Sequence, residues 1–197
     1  VIRRARSLSV VALLLAGAIG VLASTQSWLS VLLRDGGGDA LTVLGAAAIP
    51  VLVPLSLAAL ALGAALSIVG RIPRYVFAVL AVAIGVWLTV LTVGLLIAVP
   101  VSAYASAVTD RTGIAGNDAI VALVASVTPT AWAYVSLVAW ALLIVAGVFV
   151  LATAHRWTAS GRKYRTAAVR EHHDGPLDAV DSWDDLSRGE DPTAGRS

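Results

Sequence analysis

The chain has 197 residues, 58% of them hydrophobic and 13% charged, with a formal net charge of +2. Soluble domains average about 45–50% apolar and about 25% charged residues, so this composition excludes an ordinary water-soluble fold. Cysteine is absent, which excludes disulfides, thiolate metal sites and thiol catalysis.

The mean hydropathy of +0.87 has a simple source. Four stretches, Leu8–Trp28, Leu44–Val69, Tyr75–Val99 and Trp132–Ala154, contain no Asp, Glu, His, Lys or Arg. About 20 uncharged apolar residues make a helix long enough to cross ~30 Å of hydrocarbon. The expected fold is therefore an all-α membrane protein. It is a four-helix transmembrane bundle over 1–157, with spans at 8–28, 44–69, 75–99 and 132–154, short outer loops and a tail at 158–197.

The cations lie between or outside these stretches. Arg3, Arg4 and Arg6 precede the first span, Arg71 and Arg74 separate the second and third, and Arg156 to Arg170 follow the fourth. The positive-inside rule then puts both termini in the cytoplasm of a cell whose plasma membrane the chain crosses. The pI of about 9.4 reflects this membrane orientation rather than nucleic-acid binding.

Residues 1–23 also have the layout of a secretory signal, with a basic start, an apolar core and Val21-Leu22-Ala23 at the end. The apolar run outlasts the ~7–15 residues of a signal core, so a first span is the preferred reading. It ends in the polar collar Ser24-Thr25-Gln26-Ser27, with Trp28 expected as an interfacial anchor.

Two β-prone runs, Trp28–Leu33 and Ala40–Leu44, flank Asp35-Gly36-Gly37-Gly38-Asp39 and read as a small outer hairpin. The competing reading is two helix extensions broken by the glycines. In the second span, Pro50 and Pro54 predict a kink or local unwinding near the outer end. Ala59, Gly63 and Ser67 recur every four residues, a small-residue stripe suited to close helix packing.

The third span carries Trp87, Thr89 and Thr92. The threonines are expected to bond their own helix backbone or a neighbour. In the long second outer connection, residues 114–127 suit an amphipathic or half-buried helix, broken by Thr128-Pro129-Thr130. Trp132 and Tyr134 then anchor the fourth span, where Trp140 lies deeper and needs a partner for its indole N–H. Trp87, Thr89, Thr92 and Trp140 are the candidate contacts for an aromatic ligand, through stacking and hydrogen bonds.

The tail begins with inner-leaflet anchors Arg156, Trp157, Arg162, Lys163, Tyr164 and Arg165. An acidic segment follows. Residues 176–188 read as one short amphipathic helix, with Pro176 at its first position and Gly189 as its stop. Leu177, Val180, Trp183 and Leu186 share one face, and Asp178, Asp181 and Asp185 the other. With Gly189, Asp191 and Pro192 this is the candidate docking segment for a protein partner.

Chemistry is sparse. The spans hold no Asp, Glu, His, Lys or Arg, which argues against a self-sufficient proton-coupled carrier. Glu171-His172-His173-Asp174 are adjacent tail residues with no further ligands near, a solvated stretch rather than a metal site. No nucleophile–base set and no phosphate loop can be assembled. The expectation is a non-enzyme without cofactor.

Trp183-Asp184-Asp185-Leu186-Ser187-Arg188-Gly189-Glu190-Asp191-Pro192-Thr193 resembles the C-terminal signature of the tryptophan-associated transmembrane proteins of actinobacteria. Ser27-Trp28, Pro50, Thr130-Ala131-Trp132 and Arg156-Trp157 with Arg162-Lys163-Tyr164 fit the same pattern. Ser182 stands where a leucine is expected. The resemblance implies four spans and a gene neighbourhood shared with tryptophan biosynthesis, and it supplies no catalytic residue. Two functions follow as expectations. One is a scaffold that docks a cytoplasmic or membrane partner through the tail. The alternative is an accessory subunit or facilitator for tryptophan or a related aromatic compound.

Overall fold

The computed structural model describes residues 2–34 and 39–153. The order is α1 Ile2–Ser24, β1 Ser27–Leu33, β2 Ala40–Leu44, α2 Gly45–Ala48, α3 Leu52–Ile68, α4 Arg71–Ala98, a 3₁₀ turn Val101–Ala103, α5 Ala105–Thr112, α6 Asn117–Leu123, β3 Val124–Pro129 and α7 Ala131–Thr153. The chain is mostly helical. Among the described residues, three helical segments are long and apolar enough to cross a membrane: Ser7–Ser24, Ile72–Ala98 and Ala131–Thr153. The fourth apolar helix, Leu52–Ile68, has 17 residues.

The second stretch is shorter as a helix than expected because it is broken. Ile49 precedes Pro50 and takes φ −133°, ψ 91°, the extended backbone that a following proline enforces. The helix restarts at Leu52, whose N–H bonds the Ile49 carbonyl at 2.9 Å. Pro54 sits in the first turn of α3, where its missing N–H removes no helical bond. At the far end, only Val69 and Gly70 separate α3 from α4. The Arg74 guanidinium, 3% exposed, donates from Nη2 to the Val69 carbonyl at 3.0 Å. A cation at a helix C-terminus satisfies an orphan acceptor and complements the helix dipole.

The four apolar helices pack together. α1 lies against α3 and α7, and α4 lies against α7 and, more lightly, α3. Glycines set the closest approaches. A Cβ at Gly17 of α1 would stand 2.9 Å from the Leu60 amide nitrogen, and one at Gly147 of α7 would stand 3.2 Å from the Ala78 carbonyl oxygen. Backbones this close exclude any larger side chain and gain dispersion contacts along the seam, the means by which helices associate in hydrocarbon.

At the other end of these helices lies a sheet. β1 is central, with β2 and β3 antiparallel on either side. The hairpin reading of β1 and β2 therefore holds, and the helix-extension alternative does not. The sheet goes beyond that hairpin, because a third strand joins it. The helix expected over 114–127 is corrected. α6 ends at Leu123, and residues 124–129 form β3, which pairs Val31 with Val127 and Leu29 with Pro129. Val124 and Val127 favour a pleated strand, and β1 offers a free edge.

Trp28 is a further correction. It stands in β1, as the hairpin reading has it, but it is fully buried rather than exposed at an interface. The β1–β2 register shifts between Ser27 and Leu29, leaving Trp28 as the extra residue of a bulge. The bulge lets the consecutive residues Trp28 and Leu29 both face inward. Trp28 Nε1 donates to the Ala23 carbonyl at 2.8 Å. Its main-chain carbonyl accepts from Thr130 N–H at 2.8 Å, and that of Gln26 accepts from Gly45 N–H at 3.0 Å. One short segment thus ties together the ends of α1, α2 and α7.

Candidate functional site

Two of the buried polar residues, Ser56 and Thr92, meet in one layer to which four helices contribute. Trp140 of α7 is fully buried, and its Nε1 donates to Thr92 Oγ1 of α4 at 3.2 Å. The Thr92 hydroxyl donates in turn to the Leu88 carbonyl at 2.8 Å, one helical turn back. This relay satisfies the indole N–H and uses the hydroxyl as both acceptor and donor. Thr89 bonds its own helix at the Gly85 carbonyl, 2.7 Å away. The self-bonding expected of both threonines is what the structure has.

From the opposite side, α1 contributes Gly20 and α3 contributes Ser56. A Cβ at Gly20 would lie 2.7 Å from Trp140 Cη2 and 3.0 Å from Ser56 Cβ. Gly20 is therefore the gap into which the indole tip and the serine fit. Ser56 Oγ is buried and has no hydrogen-bond partner among the described residues. A buried hydroxyl left so costs about 1–3 kcal/mol. Ser136 is also buried, but its hydroxyl bonds the Trp132 carbonyl at 2.8 Å.

The four candidate aromatic-ligand residues thus divide. Thr92 and Trp140 come together in the layer, and Thr89 lies beside it on α4. Trp87 is 59% exposed on the outward side of α4 and is not part of the layer. In the small-residue stripe, Ala59 and Gly63 are buried, and a Cβ at Gly63 would meet Leu14 Cδ2 of α1 at 3.1 Å. Ser67 is exposed, and its hydroxyl donates to the Ala64 carbonyl at 2.6 Å. The buried face of α3 runs instead through Leu52, Ser56, Ala59, Gly63 and Leu66.

Sequence reasoning missed Gly20 and Ser56. Their signal was small residue type, but Gly94 has the same type and a Cβ there would meet nothing within 4 Å. Among the described residues no group of three or more His, Asp or Glu is placed to hold a metal ion. The inner-leaflet anchors Arg156, Trp157, Arg162, Lys163, Tyr164 and Arg165 lie outside the described residues. So does the docking segment with Leu177, Val180, Trp183, Leu186, Gly189, Asp191 and Pro192.

No curated protein and no solved structure matches the chain. A family model does, and it spans residues 10–193, from the first apolar helix through the tail segment. Long apolar helices and a match of that extent agree: the chain belongs to the tryptophan-associated transmembrane protein family.

Proposed function

We propose that this chain is a non-enzymatic scaffold of the plasma membrane, associated with tryptophan biosynthesis, which docks a protein partner through its C-terminal tail. It crosses the membrane four times as a helical bundle, with both termini in the cytoplasm and the sheet outside. α3 alone is about 25 Å long at 1.5 Å per residue. With α2 and the break between them it covers the thickness that a fourth span needs.

One observation carries this reading. The family match does not stop at the last apolar helix but continues to residue 193, so the tail belongs to what defines the family. Within the tail, the expected helix over 176–188 has an acidic face, which an anionic inner leaflet repels, and an apolar face suited to a protein groove. The helical body supports the same reading. Its central layer is filled by Gly20, Ser56, Trp140 and Thr92 in direct contact, as a structural core is.

The test is affinity purification of the full-length protein from its native membrane, with and without Trp183→Ala. A buried tryptophan anchor is worth ~2 kcal/mol or more. Trp183→Ala should release co-purifying partners and leave expression and detergent stability unchanged. Partners that persist, or a destabilised protein, would refute docking through this helix.

The second reading, a facilitator or accessory subunit for tryptophan or a related aromatic compound, draws on one observation. The unpartnered Ser56 hydroxyl stands in the same layer as the Trp140–Thr92 bond, a polar pair within an apolar body. Saturable binding of tryptophan to the purified protein, lost in Thr92→Val, would favour it. No binding, together with unchanged uptake in a deletion strain, would remove it.

A further inference from the structure

The connection from α4 to β3 leaves its helix through a backbone conformation that valine rarely adopts. Val99, the C-cap of α4, has φ 31° and ψ 75°. Among the described residues it is the one non-glycine residue with positive φ. In this region Cβ crowds the neighbouring carbonyl, and a β-branched side chain is crowded most. Glycine or asparagine is the usual occupant of a left-handed helix end. Pro100 adds to the conflict, because the residue before a proline is pushed toward extended backbone.

Such strain persists only where the surroundings over-determine it. Both sides of Val99 are anchored. On the helix side, its N–H bonds the Leu95 carbonyl at 3.0 Å, and Leu95 is buried. α4 is itself held to α7 by the Trp140–Thr92 bond and by Gly85, whose Cβ would meet Ile144 at 2.8 Å. On the other side, the 3₁₀ turn packs on α2 and α6, and α5 packs on β2. Tyr104, Val108 and Ile120 of this segment are themselves buried. Its far end is tied down where Arg34 N–H bonds the Leu123 carbonyl at 2.9 Å and β3 joins β1.

We infer that Val99 is a loaded hinge, and that residues 100–123 form a flap over α2 and β2 which this hinge biases toward lifting. With the flap down, Val99 is held left-handed. With the flap lifted, nothing on its far side imposes that conformation, and the residue relaxes to the extended backbone that Pro100 favours. The closed position therefore carries a strain that the open one lacks. The flap covers α2, next to the break at Pro50, so lifting it exposes the discontinuous end of that helical stretch. A modest binding energy at the sheet end suffices to shift such an equilibrium.

Hydrogen–deuterium exchange of the full-length protein in detergent micelles tests this, read on peptides covering 101–112. Val99→Gly and Val99→Asn suit the left-handed conformation and remove the load from the closed state. Each should slow flap exchange by about tenfold, the lower part of the range that a strained left-handed residue implies. Val99→Ile keeps the β-branch and should exchange at the wild-type rate. Flap exchange that is unchanged or faster in either Val99→Gly or Val99→Asn overturns the proposal. So does equal slowing in Val99→Ile, which would assign the effect to side-chain packing.

Discussion

Alanine substitution at three helical glycines separates helix propensity from close packing. Glycine costs a helix interior about 0.8–1 kcal/mol relative to alanine, and that gain is common to all three sites. Differences between them come from what the new carbon meets. At Gly94 of α4 a Cβ meets nothing within 4 Å, so Gly94→Ala keeps the whole gain. At Gly63 of α3 it meets Leu14 Cδ2 at 3.1 Å, Leu14 Cγ at 3.2 Å and Leu13 Cβ at 3.3 Å. A leucine end yields by a few tenths of an ångström, so gain and crowding nearly cancel.

At Gly20 of α1 the Cβ meets Ser56 Oγ, Trp140 Cη2 at 2.7 Å and Ser56 Cβ at 3.0 Å. The indole is rigid and tethered to Thr92, so α1 itself must move. Overpacking of this kind costs about 1–3 kcal/mol, which leaves a net loss of up to about 2 kcal/mol. In a chain of this size 1 kcal/mol moves the melting temperature by about 2–4 °C. Gly94→Ala should then melt about 2–4 °C above wild type, Gly63→Ala close to it, and Gly20→Ala up to about 8 °C below. Thermal unfolding of the purified protein in one detergent gives the order directly. A Gly20→Ala protein that melts at or above Gly94→Ala would refute the junction of α1, α3 and α7 described above.

Two further predictions concern the same layer and the orientation. Thr92→Val leaves the buried Trp140 N–H without an acceptor and should cost about 1–3 kcal/mol, whereas Ser56→Ala removes an unpartnered hydroxyl and should be neutral or stabilising. Equal losses in chemical denaturation would show that the two hydroxyls are bonded alike. For the proposed topology, a reporter fused after Ser197 that is active only outside the cytoplasm should stay silent, and activity there would invert the protein in the membrane.

The apolar helices were legible because hydrocarbon makes a demand that composition alone answers: about 20 residues without charge, with cations beyond the ends. The break in the second stretch was legible for an equally local reason, since Pro50 acts on its own neighbours. The hairpin of β1 and β2 was legible too, since its strands are close in sequence.

β3 was not legible. Residues 124–129 continue an apolar pattern that begins as helix α6, and what makes them a strand is the edge of β1, roughly a hundred residues earlier. No local propensity encodes a partner at that distance. The tryptophans make the same point. Trp28 and Trp87 look alike as aromatic residues in or beside an apolar run, yet a bulge buries the first, while the second faces outward from α4. Gly20 and Gly94 differ in the same way, one filled by an indole from another helix and the other facing open space. Composition and periodicity decide which segments enter the membrane and where they end. Which faces then meet is decided by the contact itself, because close packing depends on what stands opposite each residue and not on the residue alone.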